Sequence, residues 1–375
     1  MKLTRIHLLI IFLALGAALV LSRDQVQINI DPPSPLAFPV SPASNEPPLQ
    51  DALPIVENFS QPGNSYEFAL PTHTYQTFNN CGPASLSMIL AFYDINKSQK
   101  ELGLLMRPYQ NGAGNNDDKS LFSEEFVRWA KNFGLPGLVR PDGDLNKIKA
   151  LVANDLPVVV RTWLRVGEDV GHYRIIHGFD ENRKVIIQTD SYFGPKKEVS
   201  YSDFEAMWQP FNYEYFVIYE DSSSSLVKTI LGEDFDAKVA WKNAEERALA
   251  EIAANQPSVY PTFNLSVALY HQSRFVEAVN EFEKVENQLP ARMLWYQLEP
   301  ILTYAELGNA EKVFSMTNKI LNSGNRAFSE LYQIRGEIYA QTGAYDEAQR
   351  EFELALHYNE NYESAKNSLE KLKSI

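Results

Sequence analysis

The chain has 375 residues, of which 45% are hydrophobic and 22% charged, the composition of a folded protein large enough for two or three domains. Its 48 acidic side chains outnumber the 34 basic ones, giving a net charge of −14. This balance excludes nucleic-acid binding, which needs a basic surface. Cys81 is the single cysteine of the sequence, so an internal disulfide and a cysteine-rich zinc site are excluded as well.

Residues 1–22 have the pattern of a secretory signal peptide or signal anchor. Lys2 and Arg5 precede an apolar run from Ile6 to Leu21 that only His7 interrupts. The run is 16 residues long, shorter than the roughly 20 residues that cross a bilayer. Basic residues ahead of it predict that the rest of the chain lies outside the cytoplasm. The protein is then secreted, or held at a membrane if this segment is uncleaved, and the pattern leaves cleavage open.

Residues 23–65 are rich in proline, with nine prolines between positions 32 and 62. Proline lacks an amide donor and has a fixed φ, which disfavours helices and central strands. The segment is therefore predicted to be an extended linker that separates the folded part from the signal segment. A flexible region without a spacing role is the alternative interpretation.

Residues 66–222 are predicted to form an α+β domain. A helix begins at Cys81, where Pro83 suits the first turn and the apolar residues that follow recur at helical spacing. Further helices are expected at 98–106, 122–133 and 144–154, and strands at 156–161, 172–179, 185–189 and 213–219. A helical half followed by a half with an antiparallel sheet is an α+β arrangement.

Cys81 is the candidate nucleophile of this domain. At the start of a helix, the helix dipole and the unpaired amide donors favour a thiolate over a thiol. A lone cysteine is otherwise typical of a small buried hydrophobic residue. The neighbouring Asn79-Asn80 and Gly82-Pro83 are turn residues, which favours a functional thiol, and a free thiol in an exported protein is a liability unless it is used.

A thiolate nucleophile needs a base, for which histidine is the usual residue. His172 is the candidate, at the start of a predicted strand. Strand alternation places it on the face opposite His177, which argues against a shared metal, so no metal and no cofactor are expected. Asp190 is at the end of the following strand. A hairpin turn at 180–183 would bring that strand end next to the start of the strand that carries His172. Asp190 is therefore the candidate that orients the imidazole.

These segments resemble the bacteriocin-processing, double-glycine-type cysteine peptidase family, a papain-like group. The resemblance rests on Gln-Thr-Phe-Asn-Asn-Cys81-Gly-Pro-Ala, on Gly-His172-Tyr-Arg-Ile-Ile-His-Gly-Phe-Asp and on Thr-Asp190. It implies Cys81 as nucleophile, His172 as general base, Asp190 as its orienter and Gln76 as the oxyanion-hole side chain. A Gln76 that only caps a turn is the alternative. The membrane-spanning and ATPase domains of exporter-fused members find no match in the sequence.

The C-terminal third repeats with a period of 35 residues. Ala278, Val313 and Ala348 align at this spacing, and so do Ser273, Gly308 and Gly343. The pattern resembles the tetratricopeptide repeat, a unit of two helices that stacks on its neighbours. Three repeats over 261–361 are predicted, preceded by a linker and packing helix at 223–260 and followed by a C-terminal helix at 362–375. Such an array implies a protein partner, and a packing platform without a ligand is the alternative.

Together these features predict an exported or membrane-anchored cysteine peptidase that acts on a peptide or protein substrate, with the repeats binding substrate or partner. Two alternatives stay open. One is a catalytically inactive scaffold that binds protein partners through its repeats. The other is acyl transfer from the thioester to an amine in place of water. The scissile bond and the oligomeric state are not determined by the sequence.

Overall fold

The structure is a computed structural model that describes residues 59–110, 121–254 and 259–374. The predicted signal segment and the proline-rich residues 23–58 lie outside the described residues. Across the described part of the chain, no helix combines the length and apolar character needed to cross a membrane.

The first part of the fold, here called the sheet domain (residues 59–223), is built on one antiparallel sheet. Within the described residues its strands are β1 (Ser65–Glu67), β2 (Gly137–Arg140), β3 (Val158–Trp163), β4 (Gly171–Asp180), β5 (Val185–Asp190), β6 (Gly194–Ser200) and β7 (Tyr215–Ile218). They are ordered β2-β7-β3-β4-β5-β6, and β1 pairs with the far end of β4. The helices of this domain are α1 (Cys81–Phe92), α2 (Gln99–Met106), α3 (Ser123–Asn132), α4 (Leu145–Val152) and α5 (Tyr201–Trp208).

Helices cover both faces of the central strands. Helices α1 to α3 pack on the face that carries Val159, Tyr173 and Ile175. Helices α4 and α5 pack on the opposite face, around Val160 and Ile176. Because both faces are covered, β3 and β4 are buried along nearly their whole length, including the polar side chains of β4. The predicted helical half and sheet half are thus consecutive in the sequence. In space, the helices form layers on the two faces of the sheet.

The predicted helices and the four predicted strands of this domain are present, with ends shifted by at most two residues. Four further elements, β1, β2, β6 and α5, have no counterpart among the predicted ones. Strand β6 is largely exposed and its sequence GPKKEVS is polar, so it lacks the apolar alternation that predicts a strand. Described residues ahead of the predicted linker boundary at 65 already contact the sheet domain. Ser60 already bonds Asn154, and Ser65 pairs with Asp180, so the described end of that segment belongs to the sheet domain.

The second part of the fold, the helical array (residues 224–374), consists of helices joined by short turns. Its helices within the described residues are α6 (Ser224–Leu231), α7 (Ala237–Ala253), α8 (Val259–His271), α9 (Phe275–Val285), α10 (Met293–Tyr296), α11 (Glu299–Glu306), α12 (Ala310–Asn322), α13 (Ser329–Gln341), α14 (Tyr345–Tyr358) and α15 (Glu363–Leu372). Helix pairs form between α8 and α9, α11 and α12, and α13 and α14, and the expected packing helix, α7, lies against α8.

The 35-residue period corresponds to the turn inside each helix pair. Ser273, Gly308 and Gly343 all have left-handed backbones, with φ of 59°, 69° and 78°. A left-handed residue between two helices reverses the chain, and glycine adopts it without steric cost. In the last pair, a Cβ on Gly336 would lie 2.5 Å from the ring of Phe352. These two helices therefore approach each other closely at Gly336, and the likeness to the tetratricopeptide repeat stays a resemblance.

The helical array shares a hydrophobic core with the sheet domain. Phe122, Trp163 and Phe211 of the sheet domain share one hydrophobic core with residues of α8, α11 and α13, among them Phe263 and Ile301. An ion pair joins the two parts as well, from the buried Arg107 to Glu330 at 3.0 Å. Part of the surface of the array is therefore buried against the sheet domain, as the packing-platform alternative expects, and a protein partner of the array stays a prediction.

Candidate active site

Cys81 is the first residue of α1 and its side chain is buried. The chain reaches it through a turn in which Asn79 has a left-handed φ of 54°. The side-chain amide of Asn80 donates a hydrogen bond to the Thr77 hydroxyl at 2.7 Å, which stabilises that turn. The predicted position of the thiol at a helix start is therefore present, and the turn residues around it fix where the helix begins.

His172 lies at the start of β4 and contacts both other members of the predicted triad. Its Nε2 is 2.9 Å from Asp190 Oδ1, and the ring also hydrogen-bonds the Cys81 side chain. Since Nε2 faces Asp190, Nδ1 is the ring nitrogen left for the thiol. Burial lowers the pKa of His172, but the hydrogen bonds to Asp190 and Cys81 outweigh it, so the pKa is raised above its ordinary value.

Asp190 ends β5 and is completely buried. Its Oδ1 also accepts hydrogen bonds from the backbone N–H groups of Tyr192 and Phe193, at 2.7 and 2.9 Å. Burial raises the pKa of this carboxyl, but the His172 hydrogen bond and charge, the Arg174 charge and the Phe193 amide lower it to about 2. Asp190 is therefore an anion at neutral pH, as required of a group that orients an imidazolium.

Gln76 is joined to the residue that follows Asp190. The Ser191 hydroxyl donates to Gln76 Oε1 at 2.8 Å, and the Gln76 backbone N–H donates to the Ser191 carbonyl at 2.9 Å. Because Oε1 is occupied by Ser191, the side-chain NH₂ group is the part of the amide left to donate. The structure thus connects Gln76 to the Asp190 loop, and its role in an oxyanion hole stays a prediction.

Arg174 is a further residue of the site, to which the sequence analysis assigned no role. Its Nε lies 3.1 Å from Asp190 Oδ2, on the side of the carboxylate away from His172. The same guanidinium donates to the carbonyls of Trp163 and Leu164 at 2.8 and 2.6 Å. Strand alternation places residue 174 on the same face of the strand as His172, so the sequence contained a signal for Arg174.

His177 has partners of its own. Its Nδ1 is 2.8 Å from the Phe68 carbonyl and its Nε2 is 3.2 Å from the Thr189 hydroxyl. In the ranges that the structure describes, no group of three or more His, Cys, Asp or Glu side chains is arranged to hold a metal ion.

The comparisons with known proteins concern the same part of the chain. Residues 56–216 match the model of the Peptidase_C39 like family, a stretch that includes all four candidate residues and less than half of the chain. The comparison with curated proteins gave no match. The match agrees with the predicted peptidase family at the level of C39-like domains, and the bacteriocin-processing type stays a prediction.

Two solved structures are similar to part of the chain. One is the peptidase domain of Streptococcus ComA, a bi-functional ABC transporter involved in a quorum-sensing pathway. It is 19% identical, covers 40% of this chain and 97% of its own, and has a TM-score of 0.31. The other is a double glycine motif protease from an AMS/PCAT transporter, in complex with the leader peptide. It is 18% identical, covers 42% of this chain and 97% of its own, and has a TM-score of 0.30.

Proposed function

We propose that this protein is a cysteine peptidase whose nucleophile is Cys81. The observation that carries the proposal is the hydrogen-bonded series Cys81–His172–Asp190, which lies within the stretch that matches the C39-like family. A buried carboxylate that holds an imidazole against a thiol is the arrangement that generates a thiolate–imidazolium pair. From residues 1–22 we also propose that the protein acts outside the cytoplasm.

The reaction proceeds by acylation and deacylation. The Cys81 thiolate attacks the carbonyl carbon of the peptide bond, and the oxyanion accepts hydrogen bonds from the Cys81 backbone N–H and the Gln76 side chain. The His172 imidazolium gives its proton to the departing amine as the C–N bond breaks, which leaves a thioester. His172 then takes a proton from water, and the resulting hydroxide attacks the thioester carbonyl carbon. The C–S bond breaks, the acyl group leaves as the carboxylic acid product, and the Cys81 thiolate and His172 imidazolium are restored. Asp190 keeps the imidazole oriented throughout.

The repeat-based scaffold alternative is less well supported. Helices of the array share a core with the sheet domain, so the surface buried there is not available to a partner. Acyl transfer to an amine uses the same three residues, and the mass of the product distinguishes it from hydrolysis.

The rate of Cys81 alkylation by a small haloacetamide, measured against pH, tests the proposal. In the wild type we expect a reaction with a pH midpoint well below the value of about 8.5 for a free thiol. In His172→Ala the midpoint should move up to that value, because the imidazolium that stabilises the thiolate is absent. His177→Ala is the matched control, a histidine of the same strand, and should leave the midpoint unchanged. A wild-type midpoint near 8.5 that does not respond to His172→Ala would contradict the proposal.

A further inference from the structure

The helical array reaches the start of β4 through Tyr296, the last residue of α10. An ideal Cβ built on Gly171 would lie 2.7 Å from a ring carbon of Tyr296, closer than real Cβ atoms approach other atoms. The φ of Gly171 is outside the left-handed region, so the backbone alone would accept a side chain. Gly171 is therefore required by the Tyr296 ring, and Gly171 is the residue directly before His172.

Tyr296 is fixed on the sheet domain from several sides. Arg161 of β3 donates a hydrogen bond to the Tyr296 carbonyl at 2.7 Å. The ring also packs edge-on against Trp163, with 5.7 Å between the ring centres. Trp163 is the residue that pairs with Gly171 across the β3–β4 ladder. The ring thus covers the point at which the strand carrying His172 is attached to its neighbour.

The loop that leads into Gly171 is held by the same part of the array. Arg292, four residues before Tyr296, forms an ion pair with Asp169 at 2.7 Å, two residues before Gly171. The helical array therefore contacts the segment before His172 at two points.

The Tyr296 hydroxyl also belongs to the surroundings of the thiol. The backbone of Gly171 hydrogen-bonds the phenol oxygen. Burial raises the pKa of Tyr296 to about 12, and the negative charge of Cys81 acts in the same direction. The phenol is therefore neutral at physiological pH and close enough to Cys81 to sense its charge.

We propose that Tyr296 is a positioning residue of the active site, by which the helical array holds the Gly171–His172 strand end so that the imidazole meets the Cys81 thiol. The inference rests on the proposed function and deepens it, because it makes the helical array part of the catalytic unit. A misplacement of about 1 Å costs on the order of 10²-fold in rate when catalytic geometry is disturbed. Loss of the ring would leave the strand end without its cover and allow such a displacement.

The test uses the full-length chain and the pH midpoint of Cys81 alkylation, because the midpoint reports the thiolate–imidazolium pair while the absolute rate also depends on access. Tyr296→Ala should move the midpoint toward the free-thiol value of about 8.5. Tyr296→Phe keeps the ring and loses only the hydrogen bond to Gly171, so it should move the midpoint in the same direction by about 0.7 pH units. If Tyr296→Ala fails to fold, the Tyr296→Phe variant still tests the proposal.

Tyr260→Phe is the matched control. The Trp163 indole donates to the Tyr260 hydroxyl at 3.2 Å, so this variant loses a hydrogen bond of the same interface without touching Gly171. We expect an unchanged midpoint. A shift in Tyr260→Phe as large as that in Tyr296→Phe would overturn the specific role of Tyr296 and assign the effect to the interface as a whole.

Gly171→Ala tests whether Tyr296 acts through Gly171. The added methyl group collides with the ring, so the single variant should also raise the midpoint, and combining it with Tyr296→Ala should give no further shift beyond Tyr296→Ala alone. Additive shifts would overturn the mechanism. A wild-type midpoint already near 8.5 means that the proposed function fails. A low midpoint in the wild type that persists in Tyr296→Phe and Tyr296→Ala means that only this inference fails.

Discussion

The β4–β5 hairpin buries polar side chains near one end and apolar side chains near the other. At one end lie His172, Arg174 and Asp190, none of them more than 3% exposed. At the other end lie Phe179 and Ile186, both fully buried among apolar side chains. Burying a charge is costly unless it is paired, and the three ionisable groups are paired with one another. The apolar end can therefore stabilise the hairpin, while the polar end holds the candidate active site.

Replacing Asp190 should have the largest effect, and it should be on chemistry. Asp190→Asn removes the charge that raises the pKa of His172, so the imidazole should titrate at lower pH, as followed by NMR of its ring protons. Peptide cleavage should fall by roughly 10⁴-fold, as in other triads that lose the orienting carboxylate.

Asp180→Asn, at the opposite end of the hairpin, is the control for this prediction. Asp180 pairs with the exposed Arg183, and such surface pairs contribute little to stability. Its substitution should leave the His172 titration unchanged. Equal titration curves for wild type and Asp190→Asn would contradict the assignment of Asp190.

Phe179→Ala should affect stability and leave the thiol chemistry as it is. The side chain is fully buried in the core between β4 and α4, and truncating a buried phenylalanine costs about 3–5 kcal/mol. His172 is about 23 Å away along the strand. Denaturant unfolding should show the loss, while the pH midpoint of Cys81 alkylation stays at the wild-type value. A shifted midpoint would show that the two ends are coupled and would remove the contrast between them.

Arg174→Met should shift the pKa of His172 less than Asp190→Asn does, and in the opposite direction. The Arg174 charge lowers the pKa of His172, so its removal should move the His172 titration to higher pH. The variant should also lose stability, by about 3–5 kcal/mol, because Asp190 loses one partner of a buried ion pair. NMR titration and denaturant unfolding of the same variant measure both effects. A His172 titration moved to lower pH would contradict the described role of Arg174.

The residues that local sequence patterns identified are those that stand beside a helix or strand terminus. Cys81 was found from turn residues ahead of a helix, and His172 and Asp190 from the ends of two adjacent strands. The alternation argument holds for β4 up to Ile176. Beyond it the ladder shifts register, and Phe179 packs in the same core as Ile176, although strict alternation places them on opposite faces. A bulge of this kind depends on the neighbouring strand, so the sequence of β4 alone does not predict it.

The sequence by itself determined the candidate nucleophile, its base and orienter, the order of the main elements and the 35-residue period, because each of these is expressed over a few neighbouring residues or a regular spacing. The tertiary structure alone decided that the helical array covers the sheet domain and that Tyr296 lies on Gly171. Arg161 and Tyr296, which hydrogen-bond across this interface, are 135 positions apart. Contacts at such separations leave no periodic pattern in one sequence, because they arise only when two independently patterned regions pack together.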